Sequence, residues 1–129
     1  MRYALLIYVQ PWESTPEEDE QVMAAYNAFS QEAISADVMR GGEALHEAKT
    51  ATSVRVRDGQ TMVTDGPFAE TKEEFGGFYL IEAENIDEAI KWAARIPGAT
   101  RGTVEVRPVV DFSQEGDQSG VEAAAAAAG

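Results

Sequence analysis

The eight residues Arg2-Tyr3-Ala4-Leu5-Leu6-Ile7-Tyr8-Val9 constrain the fold more than any other stretch of this chain. Successive side chains alternate across an extended strand, so Tyr3, Leu5, Ile7 and Val9 share one face and Ala4, Leu6 and Tyr8 the other. Both faces are apolar. A strand covered on both sides reads this way, and the rest of the chain must supply the two covers.

Downstream of Pro11-Trp12, which breaks the strand, Thr15-Pro16-Glu17-Glu18 combines a capping box with proline at the first helical position. Val22, Tyr26, Phe29 and Ala33, with Met23 and Ile34 alongside, form one apolar stripe on a helix predicted to end near Ala36. Gly41-Gly42 opens a short segment, Glu43-Ala44-Leu45, followed by an irregular stretch around His46. Thr52–Arg57 alternates with period two, and Asp58-Gly59 is a hairpin signal before Gln60–Thr64. A strand is expected over Phe78–Glu82. Asn85-Ile86-Asp87-Glu88 caps a second helix with a face of Ile86, Ala89, Ile90, Ala93 and Ile96, ending at Pro97-Gly98. Val104–Val109 is a last alternating strand, and Pro108 places it at an edge or a strand end.

That order predicts an α+β fold, a ferredoxin-like sandwich with an inserted β-hairpin. Two helices cover one face of such a sheet. The apolar residues on the other face then need a partner, and a twofold homodimer packing sheet against sheet is the economical one. The predicted domain spans residues 1–112, and residues 113–129 form an acidic, alanine-rich tail.

Composition narrows the function classes. The formal charge is −13, from 10 Lys+Arg against 23 Asp+Glu, so nucleic acid would meet net repulsion and no direct binding to it is expected. Cysteine is absent, which removes disulfides, thiolate catalysis and cysteine-ligated metals. No apolar run approaches the roughly 20 residues of a membrane span. Neither a membrane partner nor an export signal is expected, and a cytoplasmic location is the default. The glycines form no phosphate cradle, the acid spacing matches no metal loop, and neither a metal nor a cofactor is expected.

The stretch Asp65-Gly66-Pro67-Phe68-Ala69-Glu70-Thr71-Lys72-Glu73 carries the candidate chemistry. Asp65 precedes a Gly-Pro turn, where a short carboxylate caps backbone N–H groups or, if buried beside another acid, serves as a general base. Lys72 is a candidate to orient an anionic substrate or stabilise an enolate. Phe68 and Phe75 are expected to anchor the loop to the core, holding Phe68, Glu70 and Glu73 at substrate-binding positions. His46 is the only histidine, and imidazole as a side-chain type suits proton transfer at physiological pH, which makes it a candidate proton shuttle. Arg107, beside Glu105 on the last strand, is a candidate carboxylate binder.

"VTDGPFAETKEEFGGFYLIEA" at 63–83, "IDEAIKWAARIP" at 86–97, "VEVRPV" at 104–109 and the opening "RYALLIY" together resemble the DGPF family, a branch of the YCII-related proteins. The resemblance implies a dimeric α/β-barrel assembly of ferredoxin-like units with a cleft near the dimer interface. It also implies a link to transcriptional regulation, since some members resemble domains attached to extracytoplasmic-function sigma factors. Related YCII proteins use a His–Asp pair for proton transfer, and one resembles a dehydrochlorinase of chlorinated hydroxyquinols. The histidine of that pair lies on or near the first helix. Here that helix carries Tyr26, Asn27 and Phe29 and no histidine. Two functions follow as expectations. One is a cofactor-free acid–base enzyme of isomerase or lyase type, acting on a small polar or aromatic molecule in a cleft lined by the 65–75 loop. The other is a non-catalytic ligand-binding or interaction module.

Overall fold

A computed structural model describes residues 1–113 of the 129. The alanine-rich tail expected beyond them lies outside the described residues. The chain runs through β1 (Arg2–Val9), α1 (Pro16–Ser35), β2 (Met39–Ala44), β3 (Thr52–Arg57), β4 (Gln60–Asp65), β5 (Glu74–Glu82), α2 (Ile86–Ala94) and β6 (Thr103–Pro108). Short 3-10 turns lie at Ala48–Thr50 and Pro97–Thr100. Four strands form one antiparallel sheet in the order β2-β5-β1-β6, and β3 and β4 pair in a separate two-stranded sheet. This is an α+β architecture compatible with a ferredoxin-like fold.

The helix starts form as their local chemistry dictates. The Thr15 hydroxyl accepts from the Glu18 N–H, and the Glu18 carboxylate accepts from the Thr15 N–H. Asn85 caps α2 through the Glu88 N–H. Such caps satisfy donors that have no partner inside the helix. Asp58 and Gly59 both adopt positive φ at the β3–β4 turn, the backbone a two-residue hairpin requires.

Both helices pack on one face of the sheet. Tyr3, Leu5, Ile7 and Ile81 meet Phe29 from α1, Ala89 and Ala93 from α2, and Ile96 beyond it. Leu5 and Ile81 are fully buried, and burying such a side chain stabilises by about 1.5–3 kcal/mol. Phe29 also sits against Tyr79 at 4.9 Å and Trp92 at 6.2 Å between ring centroids.

Three expectations need correcting. Gly41 and Gly42 lie inside β2 and do not precede a segment, while β5 begins at Glu74 and runs through Gly76-Gly77. Phe78 is therefore mid-strand. Secondly, Ile86 and Ile90 are exposed, so α2 buries only its alanines. The third concerns the hairpin, whose Val54, Val56, Met62 and Val63 are strongly exposed, while Leu6, Tyr8, Phe78 and Leu80, on the sheet face away from the helices, stay partly exposed as the apolar strands imply. Pro108 sits on β6, which is an edge strand as its proline suggests.

Candidate functional site

A cleft of about 740 Å³ opens between α1 and the sheet. Its cause is a mismatch of side-chain size. The C-terminal half of α1 reaches the sheet through Phe29 and Ala33. Its N-terminal half, with Val22, Met23 and Tyr26, faces β2 and β5 where they carry Gly42, Ala44, Gly76 and Gly77. Those residues are too short to fill the gap.

Two of the glycines are required by the neighbouring backbone. A Cβ on Gly77 would stand 2.7 Å from the Glu43 carbonyl oxygen, and one on Gly42 would stand 2.5 Å from that of Phe78. Close approach of β2 to β5 therefore excludes any larger residue at either position. The floor of the cleft is largely peptide backbone for that reason.

The polar groups come from α1 and β5. The Tyr79 hydroxyl lies 3.4 Å from Ser30 Oγ. The Tyr26 phenol has its pKa raised above the ordinary tyrosine value. Burial is the main cause and the neighbouring Tyr79 adds to it, against the lowering effect of the Gly98 N–H, which donates to the Tyr26 oxygen. Tyr26 therefore stays protonated well beyond neutral pH and serves as a hydrogen-bond donor. Asn27 adds an amide, and Ile7, Val9, Val22 and Met23 give apolar walls. Asp19 is the acidic side chain of the lining; Glu43 borders it through its backbone, since it pairs with Phe78 on the far face, and the lining holds no lysine, arginine or histidine. The Asp19 carboxylate accepts a hydrogen bond from Ser14 Oγ at 2.5 Å.

The seven residues singled out from sequence lie outside this lining. Asp65 ends β4, exposed, opposite Thr52. The turn beside it is held by other groups: the Gly66 N–H donates to the Ala51 oxygen at 2.7 Å, and Ser53 Oγ donates to the Gly66 oxygen at 2.8 Å. Phe68 is 80% exposed and does not anchor its loop. Phe75, itself partly exposed, makes a tilted ring contact with Tyr8 at 5.4 Å between centroids. Glu70 and Lys72 are exposed, and Glu73 accepts a hydrogen bond from the Thr103 hydroxyl of β6 at 2.9 Å. His46 is exposed just beyond β2. Arg107 is exposed on β6, opposite Ala4, on the sheet face away from the cleft. The structure brings Glu73 to β6 but does not gather the seven into one site.

Of the cleft's own polar residues, the sequence reading has Tyr26 as a helix-stripe position, Asn27 as a residue of the same helix and Tyr79 as a strand position, and it does not single out Ser30. One signal was available. A tyrosine in an apolar helix stripe places a hydroxyl where the stripe meets the sheet, and buried tyrosines usually find a polar partner there.

No helix among the described residues is long and apolar enough to cross a membrane. The family model of the YCII-related domain matches residues 1–113. A curated relative, an uncharacterized protein of Rhizobium meliloti (strain 1021), is 38% identical over 116 residues, covering 84% of this chain and 92% of that protein.

Proposed function

The chain belongs to the YCII-related domain family, and from the geometry of its cleft we propose that it binds a small, partly apolar molecule between α1 and the sheet and carries out cofactor-free proton transfer on it. The single observation that carries this reading is the set of hydroxyls, Tyr26 and Ser30 from α1 and Tyr79 from β5, in a cleft with a glycine floor. Peptide backbone offers a flat surface on which a ring or planar group can lie. The protonated Tyr26 phenol donates to a carbonyl or hydroxyl oxygen of the ligand and stabilises charge as it develops there, the role of a preorganised donor. The Asp19 carboxylate, with no basic residue in the lining, favours a neutral or cationic ligand over an anionic one.

We place this site in a homodimer of ferredoxin-like units. The half-buried open face of the sheet, with Leu6, Phe78 and Leu80, supports that assembly. Asp65 as base, His46 as shuttle and Lys72 or Arg107 as anion binders belong to the same proposal. They would act from a second copy, because each lies away from the cleft of its own chain.

A second reading is a ligand-binding module without catalysis, linked to transcriptional regulation as some relatives of the sigma-factor type are. What favours it is that Asp19, a carboxylate of the cleft, is already engaged by Ser14. Thermal-shift measurements with neutral phenols, aromatic amines and aromatic carboxylates test the ligand class, since a molecule that binds the native state raises its melting temperature. Stabilisation by phenols or amines that is lost in Tyr26→Phe supports the cleft. Stabilisation by carboxylates alone, unchanged in Tyr26→Phe, refutes it.

A further inference from the structure

Asp19 stands on the stripe of α1 that faces the sheet. Val22, Met23, Tyr26 and Ser30 follow it at three, four, seven and eleven residues, and those spacings share one face of a helix. Its neighbours in the first turn, Glu17 and Glu18, lie outside the cleft lining. The attraction of acids to a helix N-terminus accounts for a negative first turn. It does not require one of those acids to border a cleft.

One oxygen of this carboxylate accepts from Ser14 Oγ, and the other has no hydrogen-bond or ion-pair partner among the described residues. The surrounding charge has one sign. α1 carries Glu17, Glu18, Asp19, Glu20 and Glu32 and no basic residue, and the chain has no lysine or arginine between Arg2 and Arg40. A concave site bordered by one sign of charge concentrates ligands of the opposite sign. Beyond Asp19 the wall is apolar: Val22 is 36% exposed and Met23 63%. Tyr26 and Ser30 are half-buried further along, with the Tyr79 hydroxyl beside Ser30.

Resting on the cleft reading above, we infer that the ligand is a protonated amine, joined by a short apolar arm to a ring that bears a hydroxyl or carbonyl group. The ammonium meets the second oxygen of Asp19. The arm and ring cover Val22 and Met23, and the ring oxygen reaches Tyr26, Ser30 and Tyr79. The helix sets the length. A rise of about 1.5 Å per residue puts the Asp19 and Tyr26 Cα atoms roughly 10 Å apart. Long side chains on a helix lean towards its N-terminus, so the tyrosine hydroxyl closes part of that distance. A single ring with a short amine arm suits the span, and a cleft of about 740 Å³ admits it. Asp19 then selects the ligand by charge and is not the base of the reaction.

The test is calorimetric titration of the full chain at low salt with three probes of similar shape. Tyramine, tyrosol and hydroxyphenylacetate end in an ammonium, a neutral hydroxyl and a carboxylate. Tyramine should bind most tightly and hydroxyphenylacetate least. An ion pair at an exposed mouth is a modest contact, so the advantage of tyramine over tyrosol should be roughly fivefold. Asp19→Asn keeps an oxygen for Ser14; it should remove that advantage and leave tyrosol binding unchanged. Glu17→Gln removes the same charge from the same turn outside the lining, and most of the advantage should survive. Equal binding of tyramine and tyrosol, both weakened in Tyr26→Phe, overturns the amine class and leaves the cleft reading standing. Equal losses in Asp19→Asn and Glu17→Gln overturn the contact with Asp19. Binding of hydroxyphenylacetate alone, or of none of the three, overturns the amine and the cleft reading together. If Asp19→Asn fails to fold, salt decides on the parent protein. The tyramine advantage should shrink as ionic strength rises, and an advantage that salt leaves intact overturns the inference.

Discussion

Replacing Tyr26 with phenylalanine removes one oxygen from the wall of the cleft and tests the site at its most constrained point. That oxygen receives the Gly98 N–H, and Gly98 is buried. A typical intramolecular hydrogen bond contributes about 1 kcal/mol net, and a buried donor left without a partner costs about 1–3 kcal/mol. Tyr26 is only half-buried and borders an open cleft, so water can reach the abandoned N–H. The lower end applies, and the expected loss is about 1 kcal/mol, or roughly 4 °C in Tm for a domain of this size. The pH dependence gives an independent readout. The folded-state pKa of Tyr26 is raised, so its contribution to stability is complete below the unfolded value of about 10. It is lost as pH climbs from there through the folded value. Ultraviolet titration of the phenols should lose a component that ionises above the ordinary tyrosine value in Tyr26→Phe, and stability above pH 10 should fall less steeply than in the parent. Loss of an early-ionising component, together with an unchanged Tm, would refute the buried hydroxyl and the site built on it.

Two further substitutions probe the frame that holds the cleft. Leu5→Ala empties a fully buried position beneath both helices, and should cost about 2–5 kcal/mol by denaturant unfolding with an unchanged m value. Gly77→Ala sets a methyl group 2.7 Å from the Glu43 carbonyl oxygen; this overpacking should cost about 1–3 kcal/mol or more, with amide exchange accelerated in β2 and at its pairing with β5. A Gly77→Ala protein with parental stability would show that β2 can move away from β5 at no cost, and the explanation of the glycine floor would fail.

Much of the secondary structure was legible because its causes are local. Thr15 with Glu18, Asn85 with Glu88, and the Asp58-Gly59 turn all act within four residues, so their patterns survive in the one-dimensional string. The glycines misled for the same reason. Read locally, Gly41-Gly42 and Gly76-Gly77 look like punctuation, yet they lie within paired strands, where a carbonyl on the neighbouring strand constrains Gly42 and Gly77. Phe68 misled differently. Its size suggested an anchor, but Phe75, inside β5, meets Tyr8 and Phe68 meets solvent.

From sequence alone follow the family, the strand and helix order, the caps and turns, and the absence of thiol chemistry. Each depends on neighbouring residues or on composition. Only the tertiary structure placed the cleft, because its walls come from α1 and its floor from β2 and β5, and the gap exists only where short residues on one meet a lifted helix on the other. It also put strongly exposed apolar side chains on the β3–β4 ribbon. Period-two alternation tells which side chains share a face, but only packing decides whether that face is covered.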